Sequence, residues 1–228
     1  MVRIRGILPL MASTQQPLRK DAARNRQRIL EAAKQLFAER GLGVTLHDIA
    51  HRAGVGVGTI YRHFPDKAVL IDILFAEQLE RTAELLEQAI ADPDPWHGVV
   101  WFHERVLELQ ARDRGFKELM LGIPEAPERA VKLRRKLHPL AAKLIERARS
   151  AGEVRPDCET QDFGVVQLMV GSVIDAAHDV APELWRRYLM IALQGLRPGS
   201  APLEPLPVPA VPPTQMEELL VGAWKHRR

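Results

Sequence analysis

Cysteine is almost missing from this 228-residue sequence, which contains only Cys158. A single cysteine excludes an internal disulfide framework and a zinc site built from several cysteines, and it favours a reducing compartment. Long apolar runs are missing as well, since no stretch approaches the roughly 20 residues of a membrane-spanning helix. Residues 2–12 pair two arginines with an apolar run that Pro9 interrupts, which is too short for a signal peptide; Met11 is an alternative start. We therefore expect a cytoplasmic protein with no membrane partner.

The patterns of common catalytic and metal sites are also missing. No glycine-rich phosphate loop follows a strand, because strand-like alternation occurs nowhere over more than a few residues. The histidines at positions 97, 103, 138 and 178 lack the i, i+4 pairing of a helical metal site. Cys158 has no histidine near it in the sequence to activate its thiol. We expect no metal, no cofactor and no enzymatic activity.

Charge is unevenly distributed along the chain, although the formal net charge is only +3. Counting Lys, Arg, Asp and Glu, residues 1–67 carry +7 and the remainder carries −4. A basic N-terminal part on an acidic body is typical of a nucleic-acid-binding protein. A basic disordered arm would give the same balance, so the charge alone leaves both interpretations open.

Apolar spacings of i, i+3, i+4 and i+7 predict an all-α fold. Stop and cap signals delimit the helices. They are expected from Arg24 to Gly41, Thr45 to Gly54, Gly56 to Phe64, Asp66 to Ala91, Trp96 to Arg112, Gly115 to Leu121, Pro127 to Ala151, Thr160 to Val180 and Pro182 to Gly195. Seven prolines in residues 198–213 predict an extended or disordered segment. The expected units are a disordered arm (1–21), a three-helix DNA-binding domain (22–67), a helical ligand-binding and dimerisation domain (68–196) and a disordered tail (197–228).

Residues 45–64, TLHDIAHRAGVGVGTIYRHF, are typical of a helix-turn-helix. Thr45 is placed to cap the second helix, with Asp48 as an acidic partner three residues later. Gly54 suits a turn that needs positive φ. The third helix would leave its polar side chains outward, where they suit phosphates and base edges. An ordinary αα-corner with a polar outer face is the alternative.

Residues 24–70 strongly resemble the N-terminal domain of the tetracycline-repressor (TetR) family, above all in AGVGVGTIYRHFPDK, residues 53–67. Residues 95–122 are more weakly similar to the regulatory domain of some actinobacterial-type members. The resemblance implies that Val57, Gly58 and Thr59 face base edges and that Tyr61, His63 and Lys67 contact phosphates. It brings Thr45 and His47 to the DNA from the second helix, although His47 stands where the namesake repressor has a base-reading arginine. Arg62 reads either a base or a phosphate.

The helices near 160–180 and 182–195 are apolar on more than one side, which favours burial on all sides. We expect one face in the core and the other in a two-fold dimer seam packed as a four-helix bundle. A purely intramolecular core is the alternative. The seam residues expected are Gly164, Gly171, Ile174, Trp185, Tyr188 and Leu189.

Aromatic and methionine side chains suit an adaptable apolar pocket for a small ligand, although core packing would explain each of them as well. The effector-binding residues expected are Trp101, Phe102, Leu119, Met120 and Met169. The leading hypothesis is therefore a homodimeric regulator, a repressor released from a palindromic double-stranded operator by an unknown small ligand. A helical enzyme and a protein-interaction adaptor, each with a merely structural helix-turn-helix, are the alternatives.

Overall fold

The computed structural model describes residues 15–121, 128–199, 204–212, 214–216 and 218–220. These ranges contain helices and no strand, which confirms the all-α expectation. The helices are α1 (Gln15–Arg40), α2 (Leu46–Ala53), α3 (Val57–His63), α4 (Lys67–Ala91), α5 (Pro95–Arg112), α6 (Arg114–Met120), α7 (Glu128–Ser150), α8 (Thr160–Ala177) and α9 (Leu184–Gly195). Among them, none has the length and apolar content to cross a bilayer.

Helix α1 begins nine residues before the expected start at Arg24. Residues 15–21 are therefore helical, and the boundary of the disordered arm at residue 21 is wrong. Pro17 lies in the first turn, where its missing N–H breaks no intrahelical hydrogen bond. Residues 20–28 are exposed except for the half-buried Asn25. This part of α1 therefore has no apolar periodicity from which the sequence could predict a helix. Residues 1–14 lie outside the described residues.

The first three helices form a small unit, here called the head, around fully buried side chains. Ile29 and Phe37 of α1 pack in one core with Ile49 of α2 and Ile60 of α3. Small alanines, Ala50 and Ala53, are also buried and let the helices approach closely. These buried side chains hold α2 and α3 on α1 as one unit.

Helices α4–α9 form the body, which packs as layered helices continuous with the core of the head. The long helix α4 lies against α5 and α7, while α8 pairs with α9 and contacts α5. The short helix α6 packs against α1, so it joins the body to the head directly. At this junction Gly115 lies so close to Phe37 and Phe75 that an added Cβ would stand 3.0 Å from each of them.

Part of the proline-rich tail is bound to the body. The guanidinium of Arg155 donates to the Glu204 carbonyl at 2.9 Å, and the Leu206 N–H donates to the Asp157 carboxylate at 3.1 Å. The expectation of a disordered tail over 197–228 is wrong for these residues. For residues 204–212 the composition correctly predicted the absence of helix and sheet. It could not reveal that side chains of the body would bind the extended backbone. Residues 200–203, 213, 217 and 221–228 lie outside the described part of the chain.

Candidate nucleic-acid interface

Helix α2 begins with a reciprocal pair of hydrogen bonds between Thr45 and Asp48. The Asp48 N–H donates to Thr45 Oγ1 at 3.1 Å, and the Thr45 N–H donates to Asp48 Oδ2 at 2.8 Å. The Thr45 hydroxyl also donates to Asp48 Oδ2, and this bond together with the Thr45 N–H bond holds the pKa of the Asp48 carboxyl below its usual value, so the charge persists at the positive end of the helix dipole. The predicted cap is confirmed, and it fixes the exposed Thr45 and His47 at the start of the helix.

The turn between α2 and α3 depends on Gly54, whose φ of +61° lies in the left-handed region. Its N–H bonds to the His51 carbonyl at 3.1 Å, and the next residue, Val55, bonds to Ala50 at 3.1 Å. Arg28 of α1 donates to the Gly54 carbonyl at 3.3 Å. An added Cβ at Gly54 would stand 2.7 Å from this guanidinium, which would have to move, and the positive φ already favours glycine there. The sequence predicted the glycine but missed the arginine that supports it.

Helix α3 has a buried face and an exposed face. Ile60 is 0% exposed and Phe64, which follows the helix, is 1% exposed, so both fix α3 on the core of the head. Val57 and Tyr61 are 40% and 52% exposed, so the outer face of α3 presents one apolar and one aromatic side chain to solvent. The expected contact residues on the outer side are the exposed Val57, Gly58, Tyr61 and Arg62 and the half-buried Thr59 and His63.

Lys67, expected to be a phosphate contact, is half-buried at the first position of α4. Its ammonium donates to the Leu42 carbonyl at 2.8 Å and thus ties α4 to the loop before α2. An ammonium has three N–H donors, so this bond takes one of them. Arg62 folds back along α3, where its Nε donates to the Gly58 carbonyl at 3.3 Å.

The five expected effector residues differ in how far they are buried. Phe102 and Leu119 are buried in the core, Trp101 and Met120 pack against it, and Met169 is 52% exposed on α8. A cavity of about 1190 Å³ lies instead where α1, α5, α6 and α8 meet, and none of the five is among its lining residues. The assignment of these five residues to an effector site therefore stays a prediction, and it rests on residue type, which does not separate a pocket lining from core packing.

Most of the expected dimer-seam residues belong to the core of a single protomer. Trp185 and Leu189 are 1% and 0% exposed, and Ile174 and Gly171 are also buried. Gly164 faces the tail, since an added Cβ would stand 2.8 Å from the methyl of Met216. Of the six, the exposed one is Tyr188. The sequence did not indicate which side of each all-apolar helix its own core covers, and the assignment of these residues to a dimer seam stays a prediction.

The thiol of Cys158 is fully buried, and burial raises its pKa to about 11. It is therefore a protonated core group at neutral pH. Within the described ranges, no cluster of three or more His, Cys, Asp or Glu side chains is arranged to hold a metal ion.

Two family patterns match the chain. "Bacterial regulatory proteins, tetR family" matches residues 29–73, and "Transcriptional regulator SbtR-like, C-terminal domain" matches residues 94–198. An HTH-type transcriptional regulator of Staphylococcus aureus (strain USA300) is 45% identical over 64 residues. That match covers 28% of this chain and about a third (35%) of the relative, so it concerns the head and not the whole protein.

Two solved structures match along most of their length. A TetR transcription regulatory protein from Mycobacterium vanbaalenii is 32% identical; the match covers 79% of this chain and 99% of that one, with a TM-score of 0.46. SmeT, the repressor of the Stenotrophomonas maltophilia multidrug efflux pump SmeDEF, is 26% identical; the match covers 80% and 97%, with a TM-score of 0.54. SmeT is also known in a complex with triclosan. With the capped helix-turn-helix already described, the two family patterns, which together span more than half of the chain, and the match to SmeT identify the chain as a DNA-binding transcriptional regulator that belongs to the TetR family.

Proposed function

We propose that this protein is a homodimeric repressor that binds a palindromic DNA operator and leaves it when a small ligand binds. The observation that carries the proposal is the exposed outer face of α3, with Val57 and Tyr61 facing solvent while Ile60 and Phe64 anchor the helix from behind. A large apolar or aromatic side chain left outside in this way suits a surface that a partner covers.

In the proposed complex α3 enters the major groove. Val57, Gly58 and Thr59 then read base edges, because small and hydroxyl-bearing side chains fit thymine methyls and hydrogen-bonding edges. The phosphate contacts come from the groups around the helix, which position the protein without reading sequence. They are Thr45 and His47 at the start of α2, Tyr61, Arg62 and His63 on α3, and Lys67 through the donors that Leu42 leaves unused.

The proposed dimer seam is the outer surface of α8 and α9. A groove of about 520 Å³ between these helices is lined by apolar side chains that include Val173, Val180 and Leu184. Tyr188 and Ile191 continue this surface at 44% and 55% exposure. A two-fold axis would cover the same apolar patch on both protomers at once, which supports a second copy of the chain as the partner.

The proposed route from body to head is α6. The carboxylate of Glu118 accepts the Leu42 N–H at 2.6 Å, and the same carboxylate accepts from Arg114 at 3.1 Å. A ligand that shifts α6 would therefore pull on the loop that precedes α2. This route is supported by the direct packing of α6 on α1. SmeT, which the chain resembles, offers a precedent for a small molecule bound to a repressor of this family.

The test is a gel shift with DNA flanking the protein's own coding region, followed by footprinting. We expect a two-fold symmetric footprint and an affinity that falls steeply with salt, because phosphate contacts release counterions. Tyr61→Phe should weaken binding about tenfold by removing one hydrogen bond to a phosphate. Ser150→Ala, which removes an exposed hydroxyl from the end of α7, outside α3 and outside the proposed seam, should leave binding to DNA unchanged. An asymmetric footprint from a monomer would contradict the proposed assembly, and equal effects of the two variants would contradict the role of α3.

A further inference from the structure

The proline-rich tail leads into a short amphipathic stretch, here called the terminal segment, which consists of the described residues 214–216 and 218–220. These residues are helical, and the apolar side chains Met216, Leu219 and Leu220 are half-buried. Spacings of three and four residues bring the three side chains to one face of a helix. The terminal segment therefore has an apolar face that is partly covered by the rest of the protein.

Two observations place this face against the flank of α8 that carries Gly164 and Leu168. A Cβ added to Gly164 would stand 2.8 Å from the methyl group of Met216, so the missing side chain leaves space for this methionine. Leu220 lines the cavity of about 1190 Å³ together with Leu168, which lies about one helical turn beyond Gly164. The terminal segment thus runs in the same direction as α8, from a seat at Gly164 toward the cavity.

A second attachment keeps the terminal segment close to α8. Arg155 and Asp157, in the loop before α8, hold the backbone of Glu204 and Leu206. The Arg155 guanidinium and the Leu206 N–H lower the pKa of the Asp157 carboxyl to about 2, so the attachment stays charged at neutral pH. Met216 follows Leu206 by only ten residues, and a segment tethered by so short a spacer has a local concentration on the order of millimolar.

We propose that the terminal segment is a tethered occupant of the flank of α8 and that it controls access to the cavity. Ala38, Glu39 and Arg40 of the head line this cavity, and Leu220 forms part of its wall together with Leu168. Displacement of the terminal segment would therefore open the cavity along α8. The partner that fits this flank is a segment of the same chain. The inference goes beyond the proposed repressor function and does not rest on it.

Methyl NMR of the full chain, without DNA, tests the seat of Met216. With isotope-labelled methionine methyl groups, the Met216 signal is identified by its loss in Met216→Leu. Gly164→Ala puts a Cβ against this methyl and should shift the signal. Gly195→Ala, a change at the end of α9 where an added Cβ meets open space, should leave the signal unchanged. An unshifted Met216 signal in Gly164→Ala would overturn the proposed docking.

Access to the cavity is measured with anilinonaphthalene sulfonate (ANS), a dye that fluoresces when it binds exposed apolar surface. The combined variant Met216→Ser with Leu220→Ser removes apolar contacts of the terminal segment. It should bind ANS at least about fivefold more tightly, because the apparent affinity for a covered site is reduced by the fraction of molecules in which the site is open. Val208→Ser, a matched change at an exposed residue of the tail, should leave the ANS affinity unchanged. Equal ANS affinity of the parent and the combined variant would overturn the proposed control of access.

A change on the α8 side separates the uncovering of the cavity from a general loosening of the fold. Gly164→Gln fills the seat of Met216 from the other side of the contact, so it should raise the ANS affinity as the combined tail variant does. The three changes together should have no larger effect than the tail changes alone, because both act by releasing the same segment. Additive effects would mean that ANS reports loosened packing at separate places, and they would overturn the proposal. Neither measurement involves DNA, so its outcome is independent of the proposed repressor function.

Discussion

Replacing Gly41 with alanine tests the contact that joins α6 to the loop before α2. Gly41 has a φ of +77°, and a Cβ added there would overlap the carboxylate of Glu118. Two costs arise from the change. A left-handed conformation costs a non-glycine residue about 1–2 kcal/mol. Displacing Glu118 from the Leu42 N–H removes a hydrogen bond to a charged group, which contributes about 1.5–3 kcal/mol.

The free energy of unfolding should therefore fall by about 2.5–5 kcal/mol in Gly41→Ala. The two costs can be separated by a double-mutant cycle with Glu118→Ala. Once the carboxylate is gone, the added Cβ meets no obstacle from it, and only the backbone cost of about 1–2 kcal/mol should remain. The coupling between the two changes should thus be about 1.5–3 kcal/mol.

Urea unfolding of the parent, both single variants and the double variant measures this coupling. Gly43→Ala is the matched control, because Gly43 is two residues away, has no positive φ and would place its Cβ in open space. It should change stability by less than about 1 kcal/mol. Finding the same loss for Gly41→Ala with and without Glu118 would refute the argument that the carboxylate occupies this space.

Three further changes probe other parts of the protein. Burial lowers the pKa of His103 to about 4, so below pH 6.5 the unfolded chain binds a proton that the folded protein does not bind. The free energy of unfolding should therefore fall by about 2 kcal/mol between pH 7 and pH 5. His103→Gln should remove this loss in thermal melts, the exposed-site change His138→Gln should keep it, and identical pH slopes would contradict the reasoning. Lys67→Gln should reduce the slope of log DNA affinity against log salt concentration by about 1 per subunit, whereas the body variant Lys143→Gln should not. An unchanged slope would mean that Lys67 only binds the Leu42 carbonyl and contacts no phosphate. Deleting residues 204–228 should lower the free energy of unfolding by about 1–2 kcal/mol through the lost tail contacts, and an unchanged urea midpoint would mean that those contacts contribute nothing.

Local signals in the sequence predicted the helices and the turn well. Gly54 and the Thr45–Asp48 pair act within a few residues of themselves, so the sequence alone was enough to assign their conformations. The start of α1 was missed for the opposite reason, because an exposed polar helix needs no apolar stripe. Its extension to Gln15 contains several favourable helix formers, among them Leu18, Arg19 and Lys20.

The surroundings of the apolar side chains of the body could not be predicted in the same way, because they depend on which helices meet. Trp101 and Met169 were chosen for their residue types, yet one packs against the core and the other faces solvent. The sequence does contain one unusual feature in the body, a polar residue on a buried stripe. Gln110 follows Val106 and Leu107 at helical spacing on the buried stripe of α5, and a polar residue in that position needs an explanation. The side-chain amide of Gln110 has no hydrogen-bond partner in the structure, which the sequence alone could not show.

The peptide group of Leu42 is divided between two parts of the molecule. Its N–H is held by Glu118 from α6, and its carbonyl is held by Lys67 from α4. The residue is 3% exposed, so the amide proton is shielded from water as long as both attachments persist. Exchange of this proton with deuterated solvent therefore requires α6 to separate from the loop, which is a local opening and not global unfolding. The exchange rate of this single backbone amide therefore reports how often the head and the body separate.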